Sequence, residues 1–266
     1  MANAHGAQKS EKTTFPVARK KLFHFAQPAS VKTASDADPE ILVRELAHAR
    51  LFQHLSLEAV STVLALASVS PFSANSIIYQ QEASADRLYM VRTGQARYFY
   101  LTETGKKLIL TWLRPGEIFG INAVMPASSS YLVSAETIHE SELLMWEKDV
   151  IRGLATRFPL LWENIMHSTM DYLAFYIATH IALASHTARE RVADLLITLA
   201  IRLGRAGRDG IELQITNQEL ADTANVTHFT VSRLLREWQQ QSILEKRRGG
   251  VVIHSPSELL KTSRAA

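Results

Sequence analysis

The sequence predicts an α+β fold in three parts: an N-terminal antiparallel β-roll, a long dimerisation helix and a C-terminal winged helix-turn-helix. Three observations predict it. Short strand-like runs punctuated by turn signals follow one another between Ser76 and Ser134. A nearly uncharged stretch of helical period runs from Leu160 to Ala184. Two short helical patterns and a basic hairpin lie between Ile215 and Ser255. The expected divisions are a basic tail over 1–37, the roll with flanking helices over 38–158, the dimerisation helix over 159–185 and the winged domain over 186–266.

Residues 1–37, rich in Ala, Lys, Ser and Thr without periodicity, read as disordered. Their cluster Arg19-Lys20-Lys21 beside Leu22-Phe23-His24-Phe25 reads as a solvated tail, with contact to DNA or a partner as the alternative. From Pro39 to Leu66, apolar residues at helical spacing (Ile41, Leu42, Leu46, Leu51, Phe52, Leu55, Val60, Val63, Leu64) predict short helices. Asp38-Pro39 and Ser56 are their expected starts, the second without a full capping box.

The period then changes. Strand-like runs fall at Ser76–Tyr79, Arg87–Val91, Ala96–Tyr100, Lys107–Trp112 and Ser130–Ser134. Turn signals at Thr93-Gly94, Glu103-Thr104-Gly105, Pro115-Gly116 and Pro126–Ser129 separate them, and many short strands at close spacing predict a barrel or roll.

Between Leu160 and Ser185 only Glu163 and Asp171 are charged. A surface helix needs a solvated face, so a helix apolar nearly all round is a buried one. One seam (Leu161, Ile165, Thr169, Tyr172, Tyr176, Thr179, Leu183) can face one neighbour while Met166, Met170, Leu173, Ile177 and Ile181 face another. This reads as a helix packed on its own roll and on a second copy, as in a parallel coiled coil, with burial inside a monomer as the alternative. Thr187 and Glu190 form a capping box that restarts a helix, which stops near Gly204 and Gly207.

The segment from Thr216 to Arg233 follows a helix-turn-helix pattern. Ala221 is the small residue inside the first helix, and Asn225 falls at the turn, where a left-handed conformation is needed. Leu220, Ala224, Val226, Val231 and Leu234 anchor the two helices, and Thr216 and Thr227 stand at their N-caps. An ordinary αα-hairpin shares some of these features, but here Lys246-Arg247-Arg248-Gly249-Gly250 follows. Gly-Gly between β-prone residues signals a two-residue hairpin turn, and a basic wing grips phosphates. Together they place a helix in the major groove of double-stranded DNA.

Composition narrows the remaining classes. At 266 residues, 47% of them apolar, the chain fills the cores of two small domains. No apolar run reaches the ~18 residues that span a bilayer. The N-terminus lacks the apolar stretch of a secretory signal, so a cytoplasmic protein without a membrane partner is expected. The absence of cysteine excludes disulfides, thiolate zinc sites, iron–sulfur clusters held by cysteine and catalytic thiols together. The net charge of +3 is divided as +5 over 1–35, −5 over 36–185 and +3 over 186–266, so cations concentrate away from an acidic middle. No paired carboxylates, metal-spaced histidines, nucleophile elbow or phosphate loop supports an enzyme.

With helices, roll, long helix and winged motif in this order, the chain resembles the cyclic-AMP receptor protein (Crp/Fnr) family of bacterial transcription regulators. The resemblance covers about 40–255. The roll motifs appear as Ile77-Ile78-Tyr79-Gln80-Gln81, Asp86–Gly94 and Leu113-Arg114-Pro115-Gly116-Glu117-Ile118-Phe119-Gly120, and the DNA-binding motif as Thr216–Arg233 with its wing. The resemblance implies a cyclic-nucleotide-binding-like roll, a homodimer, and DNA and RNA polymerase as partners.

The nucleotide site itself does not carry over. Nucleotide-binding members follow Phe-Gly with a glutamate for the ribose, where this chain has Ile121; for the arginine against the phosphate it reads Ser128-Ser129-Ser130-Tyr131. The polar pair that meets adenine aligns near Ala174-Phe175. Burying a phosphate without a cationic partner is costly, which argues against cyclic AMP. Haem remains open as a cofactor, with His139, His167 and His180 as candidate ligands that otherwise read as ordinary hydrogen-bonded or surface residues. An effector pocket between roll and helix would draw on Phe119, Gly120, Ile121, Tyr131, Tyr172 and Phe175, aromatics that otherwise read as core.

The recognition helix also departs from the family. Its base-reading candidates are His228, Phe229, Ser232 and Arg233, with His228 and Phe229 where arginine or serine and glutamate are common. Arg233 can contact guanine O6 and N7 bidentately, whereas phenylalanine can only pack against a thymine methyl. Thr227, Thr230, Lys246, Arg247 and Arg248 are the phosphate-contact candidates. The expected protein is a homodimeric, sequence-specific DNA-binding regulator with an effector-sensing roll. The alternative is a haem- or small-molecule sensor whose DNA-binding domain is weak or vestigial.

Overall fold

The computed structural model describes residues 32–33, 39–125 and 130–264. The expected cluster Arg19–Phe25, the cap Asp38 and the residues Ser128 and Ser129 lie outside them. Helices α1 (Pro39–Leu46) and α2 (Leu57–Ala65) form as expected, and the Ser56 hydroxyl accepts from the Ala59 N–H at 3.2 Å to cap α2.

The roll consists of β1 (Lys32–Thr33), β2 (Ser68–Phe72), β3 (Ile77–Tyr79), β4 (Arg87–Thr93), β5 (Ala96–Leu101), β6 (Lys107–Leu113), β7 (Ile118–Phe119), β8 (Ser134–Thr137) and β9 (Ser141–Glu147). They make two antiparallel sheets, ordered β1-β2-β9-β4-β7 and β3-β8-β5-β6. Three expectations are corrected. Lys32–Thr33, inside the expected tail, pair with Ser68–Val69. Strands β2, β7 and β9, and β8 beyond Ser134, were not foreseen. The run Ser130–Ser134 is no strand: Ser130 makes an isolated bridge to Ser84, and β8 begins only at Ser134, because the Tyr131 ring stacks on Tyr79 at 3.8 Å and its hydroxyl donates to the Arg87 carbonyl.

Alternation divides β4 and β9 between two cores. Leu88 and Met90 of β4 and Leu144 and Trp146 of β9 pack under α1 and α2, and the Trp146 indole donates to the Val63 carbonyl at 2.8 Å. Their neighbours Tyr89, Val91, Leu143 and Met145 fill the space between the sheets. Strand β4 is therefore buried on both faces, which is why it reads as an unbroken apolar run.

Helix α3 (Lys148–Arg157) leads into α4 (Pro159–Ser185). The first half of α4 is fastened to the roll: Leu161 and Ile165 are buried, and the Asn164 amide donates to the carbonyls of Leu51 and Gln53 at 2.9 and 2.8 Å. From Met170 onward the helix leaves Met170, Leu173, Tyr176, Ile177, Ile181 and Leu183 exposed. Among the described residues no helix is long and apolar enough to cross a membrane.

The C-terminal part holds α5 (Ala188–Leu203), β10 (Arg205–Gly207), β11 (Gly210–Leu213), α6 (Asn217–Ala224), α7 (His228–Gln240), β12 (Leu244–Arg247), β13 (Gly250–Ile253) and α8 (Pro256–Arg264). The Thr187–Glu190 capping box is complete and Gly204 caps the end of α5. The β10–β11 hairpin extends the wing into a four-stranded sheet, β10-β11-β13-β12. The apolar core of this part also takes in Ile109 and Trp112 of the roll.

Candidate nucleic-acid interface and the roll interior

The two helices of the motif start and stop on local chemistry. Thr216 accepts from the Glu219 N–H while the Glu219 carboxylate returns a bond to Thr216 N–H at 2.8 Å, a full capping box. Asn225 ends α6 in the left-handed region (φ 49°, ψ 54°), as its place in the turn predicts. Thr227 caps α7 by accepting from Thr230 N–H at 3.1 Å. Leu220, Ala221, Ala224, Val231 and Leu234 are buried together, joined by Leu235 and Trp238, while Val226 is only half-buried.

That packing leaves the opposite side of α7 free. Phe229 is 84% exposed, a burial state that protein packing does not explain. His228 beside it is exposed, Ser232 is half-buried, and the Arg233 side chain is 68% exposed with its nearest carboxylate, Glu237, 3.9 Å away. Glu237 is instead held by Arg189 of α5, and that hydrogen bond keeps its carboxyl below the usual range. The Thr227 and Thr230 hydroxyls lie 2.9 Å apart and share one proton, so one O–H remains to donate at the helix N-terminus.

The wing differs from its expected form. Arg247 pairs with Gly250, so the two-residue turn is Arg248-Gly249 and not Gly-Gly. Gly249 takes the left-handed conformation (φ 76°), whereas Gly250 is needed for space: a Cβ there would meet the Leu213 carbonyl oxygen at 2.5 Å. The three wing cations are not equivalent. Arg247 is ion-paired with Glu212 and Glu245 at 3.2 Å and lies 3.8 Å from Asp209; its hydrogen bond to Glu245 raises its pKa. Arg248 stands exposed at the tip, with no ion pair among the described residues, and Lys246 is half-buried.

Sequence reasoning missed the residue that fixes the turn. Arg191 of α5 donates to the carbonyls of Ala224 (2.9 Å) and Asn225 (3.4 Å) in the motif and of His186 (2.8 Å) at the α4–α5 junction. An arginine one turn into a capped helix carries no local signal of such a reach.

In the roll, the six pocket candidates do not share one cavity wall. Phe119 and Tyr131 sit in the inter-sheet core with Tyr79 and Tyr89, and Tyr172 closes its edge by donating to the Ile118 carbonyl at 2.7 Å. Ile121 packs instead against the core under α1 and α2, and Phe175 lies under the Arg202 guanidinium at 5.4 Å. Gly120 (φ 75°) turns the chain where a Cβ would strike the Arg87 carbonyl oxygen at 2.8 Å, and its N–H donates to the Tyr98 hydroxyl at 3.2 Å. Burial pushes the phenols of Tyr79, Tyr131 and Tyr172 up and that of Tyr98 to about 12, so this interior stays neutral. His139 is exposed between β8 and β9, and His167 and His180 are exposed on α4.

Comparison with known proteins follows the same division. Residues 69–158 match the cyclic nucleotide-binding domain and residues 190–262 match the Crp-like helix-turn-helix domain, together well over half the chain. The nitrogen fixation regulation protein FixK of Azorhizobium caulinodans is 28% identical over 192 residues, 71% of this chain and 76% of the relative. The cyclic AMP receptor protein of Thermus thermophilus is 28% identical over 209 residues, 79% and 94% of the two chains. The structure of FixK2 from Bradyrhizobium japonicum shares the fold, with a TM-score of 0.66 at 24% identity over 75% of this chain and 98% of that one. A sensor-type roll joined to a winged helix-turn-helix defines a DNA-binding transcription regulator, not an enzyme. The chain belongs to the Crp/Fnr family.

Proposed function

We propose that the protein acts as a homodimer that reads a two-fold symmetric DNA site with α7, and that its roll does not respond to cyclic nucleotides. The observation that carries the first part is the exposed face of α7. Phe229, His228 and Arg233 are solvated on a helix whose other side is fully packed, and a capped N-terminus with a spare hydroxyl donor flanks them. Arg233 supplies the guanine contact and Phe229 an apolar surface for a thymine methyl. Arg248 is the wing's free phosphate cation, seconded by Lys246, with Thr227 and Thr230 at the helix start. The exposed apolar half of α4 supplies the dimer contact, and the functional divisions fall at 158/159 and 185/186.

The second part rests on the roll interior. A cyclic nucleotide seated beside Phe119-Gly120-Ile121 needs an acceptor for its ribose, donors for its phosphate and room for both. Here the Gly120 N–H is taken by Tyr98, and the space above it is filled by Tyr89 and Tyr131. RNA polymerase is the remaining partner of this reading, tested by transcription from a bound promoter in vitro.

The deciding experiment is selection of bound duplexes from a random pool. Enrichment of a two-fold symmetric sequence, bound with a steep salt dependence, is expected. Uniform retention of all sequences would overturn the reading.

A further inference from the structure

We infer that Arg97 and Glu136 of the roll are positioning residues for DNA reading: through Glu219 they hold the recognition helix at a fixed place relative to α4, and so set the half-site spacing the dimer accepts. This rests on the dimeric DNA-reading function proposed above.

A β-bulge in β6 sets the arrangement. Phe99 of β5 pairs with Ile109 and Tyr98 with Thr111, leaving Leu110 as the extra residue of β6. Ile109 and Trp112, three apart in sequence, are thereby brought onto one face, opposite Phe99 and Arg97. Glu136 of β8 is the partner of Arg97 on its other side. This outer face meets the C-terminal domain, and both Ile109 and Trp112 are buried in that domain's core.

Beside them lies a cluster of two cations and two carboxylates. Arg97 donates to Glu136 at 2.6 Å, Lys107 reaches the same oxygen at 2.5 Å, and a second nitrogen of Arg97 binds Glu219. The side chains of Glu136 and Arg97 are 5% and 10% exposed. Glu219 divides its carboxylate: one oxygen completes the α6 capping box at Thr216, the other is held by the roll. The group that starts the motif's first helix is thus also its anchor on the sensor. A second contact repeats the arrangement at the end of α5. There Arg202 binds Glu117 at 3.0 Å and the Trp112 carbonyl at 3.3 Å, while Arg114 donates to the Arg202 carbonyl.

Since α7 is packed on α6, whatever holds α6 also aims α7. The α4–α5 junction at His186 is a short extended link, which alone leaves the DNA-binding domain free to swing. The docked arrangement does not mask the reading face, because Phe229 and Arg233 stay solvated in it. It preorganises that face.

The test uses the full chain and two variants. Arg97→Met with Glu136→Leu removes the anchor, and replacing a buried ion pair by apolar residues of similar size preserves folding in general. Glu219→Gln keeps a capping-box acceptor while discarding the charge, and carries the test if the double variant fails to fold. A duplex selected by the wild type is compared with versions whose half-sites are moved apart or together by one and two base pairs. Wild type should bind the selected spacing best. The variants, dimeric by sedimentation, should bind it roughly tenfold more weakly, because ordering of the domains is now deferred to binding, and should tolerate altered spacing better with an unchanged salt slope. Variants with the wild-type affinity and spacing profile, or with higher affinity, would overturn the inference. A wild type with no spacing preference would instead overturn the dimeric reading beneath it.

Discussion

Ile177→Ala and Ile177→Asp on α4 measure whether the exposed apolar half of this helix is an interface. Ile177 keeps 51% of its surface wet in the single chain, within a patch that includes Leu173, Tyr176 and Ile181. Burying an isoleucine completely contributes ~1.5–3 kcal/mol, so covering its exposed half contributes about 1 kcal/mol per copy. A two-fold interface covers it twice. Ile177→Ala should therefore cost the dimer about 2 kcal/mol, or roughly 30-fold in the dissociation constant. Ile177→Asp adds two carboxylates to be desolvated near the two-fold axis, and should leave monomer at micromolar concentration. Because Ile177 is exposed in the protomer, that monomer should keep its native circular dichroism and melt cooperatively. Ile165, fully buried against the roll, behaves differently: Ile165→Asp should unfold the protomer itself. Sedimentation equilibrium separates the cases. A folded wild-type monomer at micromolar concentration, or an Ile177→Asp dimer of undiminished affinity, would refute the reasoning.

Arg233→Ala should cost roughly 1–3 kcal/mol on the selected duplex and little on random DNA; equal losses on both would mean that α7 does not read bases through it. Arg248→Ala should lower the slope of log affinity on log salt by ~0.9 for every sequence. Arg247→Ala should lower it less, because three carboxylates already claim that guanidinium; equal slopes for the two variants would show that the ion pairs open on DNA. Calorimetric titration with cyclic AMP should give no binding heat, and micromolar affinity would mean that the aromatic interior rearranges to admit a phosphate. Arg189 depresses the folded-state pKa of Glu237, so its contribution to stability is present above the ordinary carboxylate value of 4.5 and lost as pH falls through the lower folded one. Glu237→Gln should accordingly flatten the acid limb of a melting-temperature titration, and an unchanged limb would remove this pair from acid stability.

Several parts of this protein are legible in the sequence because their causes lie within one or two helical turns. The motif at Thr216–Arg233 is announced by N-cap threonines, a small residue at Ala221 and an asparagine tolerant of the left-handed turn. Helix α4 is announced by its missing charges, and the Thr187–Glu190 restart by its spacing. The strands fared unevenly for a related reason. Strand β4 reads plainly because both faces are buried. Strand β2, with the sequence Ser68-Val69-Ser70-Pro71-Phe72, offers weak propensity and exists because β9 pairs with it. Ser130–Ser134 has strand-like residues, yet Tyr131 is claimed by a ring on another strand.

What only the tertiary structure decided is which distant groups share one environment. Glu219 is 122 residues from Arg97, and no local pattern marks the pair except that Arg97 and Glu136 are charges within strand-forming segments. The bulge at Leu110 is equally silent, although it decides that Ile109 and Trp112 meet the DNA-binding domain. The filling of the roll by Tyr79, Tyr89, Tyr98 and Tyr131 depends on strands brought together by sheet order. Helix caps and turns are set by bonds between near neighbours, so sequence determines them directly. Burial and ion pairing depend on which surfaces the fold brings face to face, and that is a property of the assembled chain.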